Sequence, residues 1–244
     1  MQGSRAEPAP HERIFVALDT PDVERARSLV HALDGHVGGF KIGLELFCVG
    51  GPRLVTELRE HGDIFIDLKL HDIPNTVAGA AAAIGRLGAR YFTLHASGGP
   101  EMIRRGVAAA REGAADAGLT APTALAVTVL TSHDDATLKA VGLAGPCGQA
   151  VRRLAGLARD AGAGGLVCSA LEVADARRVF PDGVLVVPGI RMAEGGVRAD
   201  DQARAGRPDE VVRGGGDLLV VGRPITRADD PVHAANRIAE AIRS

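Results

Sequence analysis

Short apolar segments recur along this chain, each followed by a stretch of helical periodicity, and that alternation constrains the fold more than any other feature. The strand candidates are 14–19 (IFVALD), 39–45 (GFKIGLE), 63–70 (DIFIDLKL), 91–97 (YFTLHAS), 123–130 (TALAVTVL), 165–170 (GLVCSA), 184–190 (VLVVPGI) and 218–223 (LLVVGR). Helical patterns fall between them at about 22–34, 52–61, 75–88, 100–117, 148–162, 171–179 and 208–214, with a last one at 230–243. Near-continuous apolar strands separated by helices belong to βαβ units and a parallel sheet. Eight such units in 244 residues match the size of a (β/α)8 barrel. A doubly wound open sheet usually has fewer strands and often a glycine-rich turn after strand one; here strand one ends in Leu18-Asp19-Thr20-Pro21. The expected fold is therefore α/β, a single (β/α)8 TIM barrel over residues 13–244, with a disordered tail over residues 1–12.

Hydrophobic residues make up 46% of the chain and aromatics only 3%, so an aliphatic core is expected. The formal net charge of −2 argues against a nucleic-acid footprint or a polybasic membrane patch. Cys48, Cys147 and Cys168 are widely spaced, with no CxxC or Cys/His cluster, which supports neither a disulfide framework nor a zinc site. Residues 1–12 lack the apolar core of a signal peptide, and no apolar run approaches the ~18 residues of a membrane span. A soluble, cytoplasmic protein is expected.

Polar residues gather at the C-terminal ends of the strand candidates: Asp19, Lys41, Asp67 with Lys69, His95, Thr131 with Ser132, Ser169, Arg191 and Arg223. In a barrel those ends open on one face, the catalytic one. The richest segment is 65–77, FIDLKLHDIPNTV. Side chains alternate along a strand, so Asp67 and Lys69 share one face while Ile66, Leu68 and Leu70 take the other. Buried charges are costly unless paired. An isolated D-x-K is more often a structural ion pair than a catalytic one. Lys41, at the matching end of strand two, and Asp72, just past strand three, shift that balance. Pro74 suits the first turn of a helix and pushes Ile73 out of the α region, which holds Asp72 on a short, stiff connector. An alternating Lys–Asp–Lys–Asp cluster is nearly neutral and tolerates burial. It can protonate a carbanion, and a fixed aspartate disfavours a substrate carboxylate set beside it; both suit a decarboxylation.

Strand eight closes with Val221-Gly222-Arg223-Pro224. The glycine lets backbone approach an anion, and the arginine supplies a bidentate fork. Barrels commonly bind phosphate in the loops after strands seven and eight. Arg191 and Gln202 lie in the long irregular stretch 191–207, whose length and flanking arginines suggest a lid. A surface arginine is an equally good reading of Arg223 from residues alone. His95 reads as a structural histidine, His71 as packing or solvent-facing, and Glu45 as a strand-end or surface carboxylate.

The run Asp67-Leu-Lys-Leu-His-Asp-Ile-Pro-Asn-Thr76 resembles the signature of the orotidine 5′-phosphate decarboxylase family, bacterial type. The likeness covers nearly the whole chain, through Ala-Leu-Asp19, Phe-Lys41-Ile-Gly, Val-Leu-Thr131-Ser132, Pro-Gly-Ile-Arg191, Asp-Asp-Gln202 and Val-Gly-Arg223-Pro-Ile-Thr. The resemblance implies conversion of orotidine 5′-phosphate to uridine 5′-phosphate and CO2, without metal or organic cofactor. It implies that Lys69 protonates C6, that Asp67 lies against the departing carboxylate, and that Lys41 completes the network and touches the ribose. Asp72 and Thr76 would enter the neighbouring subunit's site in a homodimer. Asp19 would bind a ribose hydroxyl and Thr131, with Ser132, the base. Asn75 is counted among the substrate-binding residues. Gln202, Arg191, Gly222 and Arg223 would hold the phosphate. Two rivals stand beside this reading. One is a magnesium-dependent 3-keto-L-gulonate 6-phosphate decarboxylase type, which should carry a carboxylate where Lys41 stands. The other is a catalytically dead barrel that only binds.

Overall fold

The computed structural model describes residues 7–192 and 206–243. The strands are β1 (Ile14–Ala17), β2 (Gly39–Gly43), β3 (Asp63–Leu70), β4 (Tyr91–His95), β5 (Thr123–Val127), β6 (Gly165–Val167), β7 (Val184–Pro188) and β8 (Leu218–Val221). Each pairs in parallel with the next, and β1 pairs with β8, so the sheet closes into a barrel. The helices are α1 (Val23–Leu33), α2 (Leu44–Leu58), α3 (Pro74–Gly85), α4 (Pro100–Asp116), α5 (Asp135–Ala140), α6 (Cys147–Asp160), α7 (Val173–Val179), α8 (Pro208–Arg213), α9 (Arg223–Thr226) and α10 (Pro231–Arg243). This is the expected (β/α)8 barrel. No helix among the described residues is long and apolar enough to cross a membrane.

Residues 7–12 of the expected tail are among those described. A 3-10 turn over Pro10–Arg13 leads into β1 and spans the boundary drawn at residues 12 and 13. There Arg13 Nη1 donates to the Asp217 carbonyl at 3.4 Å.

Strand alternation sorts the core into two shells. One cluster lies between sheet and helices and holds Ile14, Val16, Leu18, Ile42, Ile64, Ile66 and Leu94. The other holds Phe15, Ala17, Phe65, Tyr91, Leu125, Val186, Leu218 and Val220. Odd positions of the first strands and even positions of β7 and β8 thus face the barrel axis. The aliphatic expectation holds for most of both shells, with three aromatics meeting in the interior. Phe15, Phe65 and Tyr91 meet edge to face there, with centroids 5.5–6.5 Å apart. Each such pair contributes about 0.5–1.5 kcal/mol beyond its buried area. Gly39 makes room for this plug: a Cβ on it would lie 2.6 Å from Phe15 Cε1 and 2.1 Å from the Asp63 carbonyl oxygen. Three of the seven aromatics thus fill the interior, while Phe40, Phe92 and Phe180 are buried in the outer shell and Phe47 packs against it.

Two glycines set the seat of α3. A Cβ at Gly85 would lie 2.2 Å from the Ala110 carbonyl oxygen, and one at Gly113 would lie 2.1 Å from that of Ala82. The backbones of α3 and α4 therefore touch, which fixes the helix that follows the charged end of β3. A groove of about 700 Å³ lies at the N-terminal ends of β3 to β5. Its charged residues neutralise one another locally, Arg90 with Asp63 at 3.7 Å and Arg59 with Glu60 at 3.6 Å. Converging charge belongs to the opposite mouth.

Candidate active site

Asp19, Lys41, Asp67 and Lys69 lie at the C-terminal mouth, on the inward-facing parity. Lys41, from β2, is 8% exposed. Its Nζ donates to Asp19 Oδ1 at 2.9 Å and lies 3.7 Å from Asp67 Oδ2. Lys69 Nζ donates to the same Asp67 oxygen at 2.8 Å. The remaining Asp67 oxygen, Oδ1, accepts from Thr93 Oγ1 at 2.9 Å. Burial alone would push the Asp67 carboxyl up. The two ammonium charges, with the hydrogen bonds from Lys69 and Thr93, outweigh it and hold the group below its ordinary 3.8. Asp67 is thus a fixed anion flanked by cations.

Asp67 and Lys69 share a face as alternation predicts, but not on a flat strand. The β3–β4 register shifts between Ile66, opposite Phe92, and Leu70, opposite Leu94. Within that bulge Lys69 adopts φ 51°, the only positive φ among the described non-glycine residues. Such a conformation costs about 1–3 kcal/mol, and strain of this kind clusters at functional sites. The Lys69 amide leaves the regular ladder and donates to Thr93 Oγ1 at 2.9 Å. Gly43, where β2 passes into α2, keeps the centre open. A Cβ there would stand 3.1 Å from Lys41 Nζ and 3.3 Å from Asp19 Oδ1.

The connector after β3 is built as expected. Pro74 opens α3, and Ile73 sits at φ −58°, ψ 150°, outside the α region. Asp72 is exposed and accepts from the Ile73 amide at 2.6 Å. Within the chain its carboxylate forms no ion pair with Lys41 or Lys69; those lysines pair with Asp19 and Asp67. Thr76 is exposed, and Asn75 accepts from Arg105 at 3.2 Å.

Other residues read as strand ends lie beyond the strands. β5 stops at Val127, which puts Thr131 and Ser132 on the connector to α5. β7 stops at Pro188; the Arg191 amide donates to the Gly206 carbonyl and the Gly206 amide to that of Gly189, tying the ends of the long loop together. Gln202 lies outside the described residues. Gly222 follows β8 directly, and Arg223 is the exposed first residue of α9 rather than a strand residue. Glu45 is exposed on α2, not at a strand end. Ser169 is fully buried and donates to Glu172, which marks it as structural. His71 is exposed, its ring 5.1 Å from that of His95.

Sequence reasoning passed over Thr93. It also gave Asp19 to a ribose hydroxyl without seeing its bond to Lys41. The signal for Thr93 was present, since it alternates with Tyr91 and His95 on β4 and so faces the interior.

A (β/α)8 barrel whose mouth gathers two lysines around a largely shielded aspartate has the framework of an enzyme. The chain belongs to the orotidine 5′-phosphate decarboxylase / HUMPS family, whose model matches residues 12–238. It is 51% identical to the orotidine 5′-phosphate decarboxylase of Paramagnetospirillum magneticum, over 92% of this chain and 96% of that protein. It is 49% identical to the Thermobifida fusca protein of the same name, over 94% and 95%. The crystal structure of orotidine 5′-phosphate decarboxylase from Lactobacillus acidophilus superposes with a TM-score of 0.81 at 36% identity, covering 95% of this chain and 99% of that one.

Proposed function

We propose that this protein is a carboxy-lyase that converts orotidine 5′-phosphate to uridine 5′-phosphate and CO2 in pyrimidine biosynthesis. The observation that carries the reading is the Lys69 ammonium, 2.8 Å from Asp67, with Lys41 behind it at the barrel mouth. The bond from C6 to the carboxylate carbon breaks, CO2 leaves, and the electron pair stays on C6. No ring system delocalises that pair, so preorganised charge must stabilise it. Lys69 Nζ gives C6 a proton and regains one from solvent after product leaves. Asp67, held ionised, sits against the substrate carboxylate and disfavours the ground state more than the carbanion.

Asp19 and Lys41 serve the ribose, and Thr131 with Ser132 the base. Gly222, Arg191 and Arg223 bind the phosphate, whose remote binding energy aligns the reacting end. The active unit in this proposal is a cytoplasmic homodimer in which Asp72 and Thr76, with Asn75 between them, serve the neighbouring site. Their exposure, and that of the adjacent Ile73 at 66%, support that role. The catalytic domain in this proposal is the barrel of residues 13–244.

The presence of Lys41 where a metal-using relative needs a carboxylate favours orotidine 5′-phosphate over a keto-sugar phosphate. The test is incubation of purified protein with orotidine 5′-phosphate in EDTA, following loss of orotidine absorbance and release of CO2. Turnover in EDTA is expected; tight binding without product would instead make the barrel a binding protein.

A further inference from the structure

A hydroxyl that takes no part in the proton transfer bridges the Lys69 backbone and the Asp67 carboxylate. Thr93 is fully buried on β4. Its Oγ1 lies 2.9 Å from the Lys69 amide nitrogen and 2.9 Å from Asp67 Oδ1. An amide N–H only donates, so the hydroxyl must accept there. Its one hydrogen is then committed to Asp67, and an ionised carboxylate only accepts. The direction of both bonds is fixed by chemistry.

Each bond also answers a specific need. The β3 bulge takes the Lys69 amide off the sheet ladder, and a buried N–H without an acceptor is costly. Thr93 Oγ1 stands in for the missing carbonyl. Lys41 and Lys69 both lie against Asp67 Oδ2, and the Thr93 hydroxyl holds the opposite oxygen, Oδ1. With both oxygens anchored, the plane of the carboxylate is set from two sides. Because Thr is β-branched, its own χ1 is stiff, and no solvent reaches the position to take over.

We infer that Thr93 is a positioning residue for this reaction, whose single hydroxyl fixes the plane of the Asp67 carboxylate and the left-handed backbone of Lys69 relative to each other. The inference rests on the decarboxylase reading and deepens it. The role is exerted through Asp67 and Lys69 and needs no contact with substrate.

The test compares wild type, Thr93→Val, which keeps the shape and loses both bonds, and Thr93→Ser, which keeps both bonds and loses a methyl. Thr93→Val is expected to lower kcat by about 10- to 100-fold, the size of a lost hydrogen bond to a charged group, with KM changed far less. It should also move the acid limb of the kcat/KM profile to higher pH, because Asp67 loses a donor that favours its charged form. Thr93→Ser is expected to stay near wild type in kcat and in the acid limb. Wild-type kcat and an unmoved acid limb in Thr93→Val would overturn the inference. So would equal impairment of the valine and serine variants, which would make the residue a packing element. If Thr93→Val fails to fold, Thr93→Ala takes its place under the same comparisons. Inactive wild-type protein would instead overturn the decarboxylase reading, so the two failures are distinguishable.

Discussion

Lys69 reaches Asp67 at 2.8 Å from a backbone that is left-handed at Lys69 itself, one residue before the end of β3. A flat strand would also put the two side chains on one face. The bulge does something further, because it frees the Lys69 amide for a side-chain acceptor and leaves Leu68 and Leu70 packed against the outer core. Lys69, the proton donor in the proposed reaction, is therefore anchored at three points: its amide, its ammonium and the aliphatic neighbours on either side. Local strain here is the counterpart of positional accuracy.

Lys69→Ala is expected to keep the fold, since Asp67 retains Lys41 and the aliphatic neighbours are untouched. It removes the proposed proton donor, so kcat should fall by roughly 10³-fold or more, within or beyond the usual range for a general acid. Steady-state kinetics together with a thermal melt check this. A kcat near wild type would move the acid elsewhere.

The barrel was legible because period and composition agree. All eight strand starts, from Ile14 to Leu218, fall where the apolar runs begin. Every end but that of β3, at Leu70, was overrun because hydrophobicity reports burial, not hydrogen bonding. Thr128 and Val129 are 3% and 4% exposed, yet lie past the last residue of β5. The first half of α2 was hidden by Gly50-Gly51-Pro52, which reads as a breaker. The chain is helical on both sides of it, with the break taken up at Gly51, φ 61°. The helix α5 buries only Leu138, too little for periodicity to detect. The Asp67–Lys69 pair was readable from alternation within one strand. The bond from Lys41 to Asp19 needs the register that sets Ala17 beside Lys41, which no local pattern carries.

Gly43 and Gly39 both lie on β2, two turns of alternation apart in consequence. In Gly43→Ala the new methyl meets the Lys41 ammonium and the Asp19 carboxylate, groups at the ends of side chains that can shift by a few tenths of an ångström. The fold should persist while kcat/KM falls by about 10-fold, through misplacement of charge by a fraction of an ångström. In Gly39→Ala the methyl meets the Asp63 backbone carbonyl at 2.1 Å and the Phe15 ring. That variant should lose about 2 kcal/mol or more of stability, as overpacking does. Urea titrations and kinetics of both variants separate the two kinds of damage. Equal stability losses would mean that the mouth is as rigid as the barrel floor.

Arg223 opens α9 immediately after Gly222 and is exposed. Loss of an exposed contact at such a position changes stability by no more than about 1 kcal/mol. Arg223→Ala is therefore expected to change the melting temperature little while lowering kcat/KM by about 10- to 100-fold, as loss of a charge-assisted contact to phosphate does. Uridine 5′-phosphate should bind correspondingly more weakly and uridine no more weakly than before. An unchanged kcat/KM would place the phosphate site elsewhere.

His95 gives the clearest pH dependence. Burial first, then the neighbouring His71 and Lys69 charges, lower its pKa from 6.5 to about 4. In the unfolded chain it protonates near 6.5, so between pH 6.5 and about 4 the unfolded state binds more protons than the folded one. Stability therefore falls as the solution is acidified through that window, and the loss is complete once pH drops below the folded value. The ring is only half buried, and screening trims the effect to about 1–2 kcal/mol. His95→Gln removes the titration, so its urea midpoint should change less between pH 7 and pH 4.5 than that of the wild type. Carboxylates titrate in both proteins, and the difference between the two slopes isolates the histidine. Parallel slopes would mean that His95 is protonated in the folded barrel as readily as in the unfolded chain.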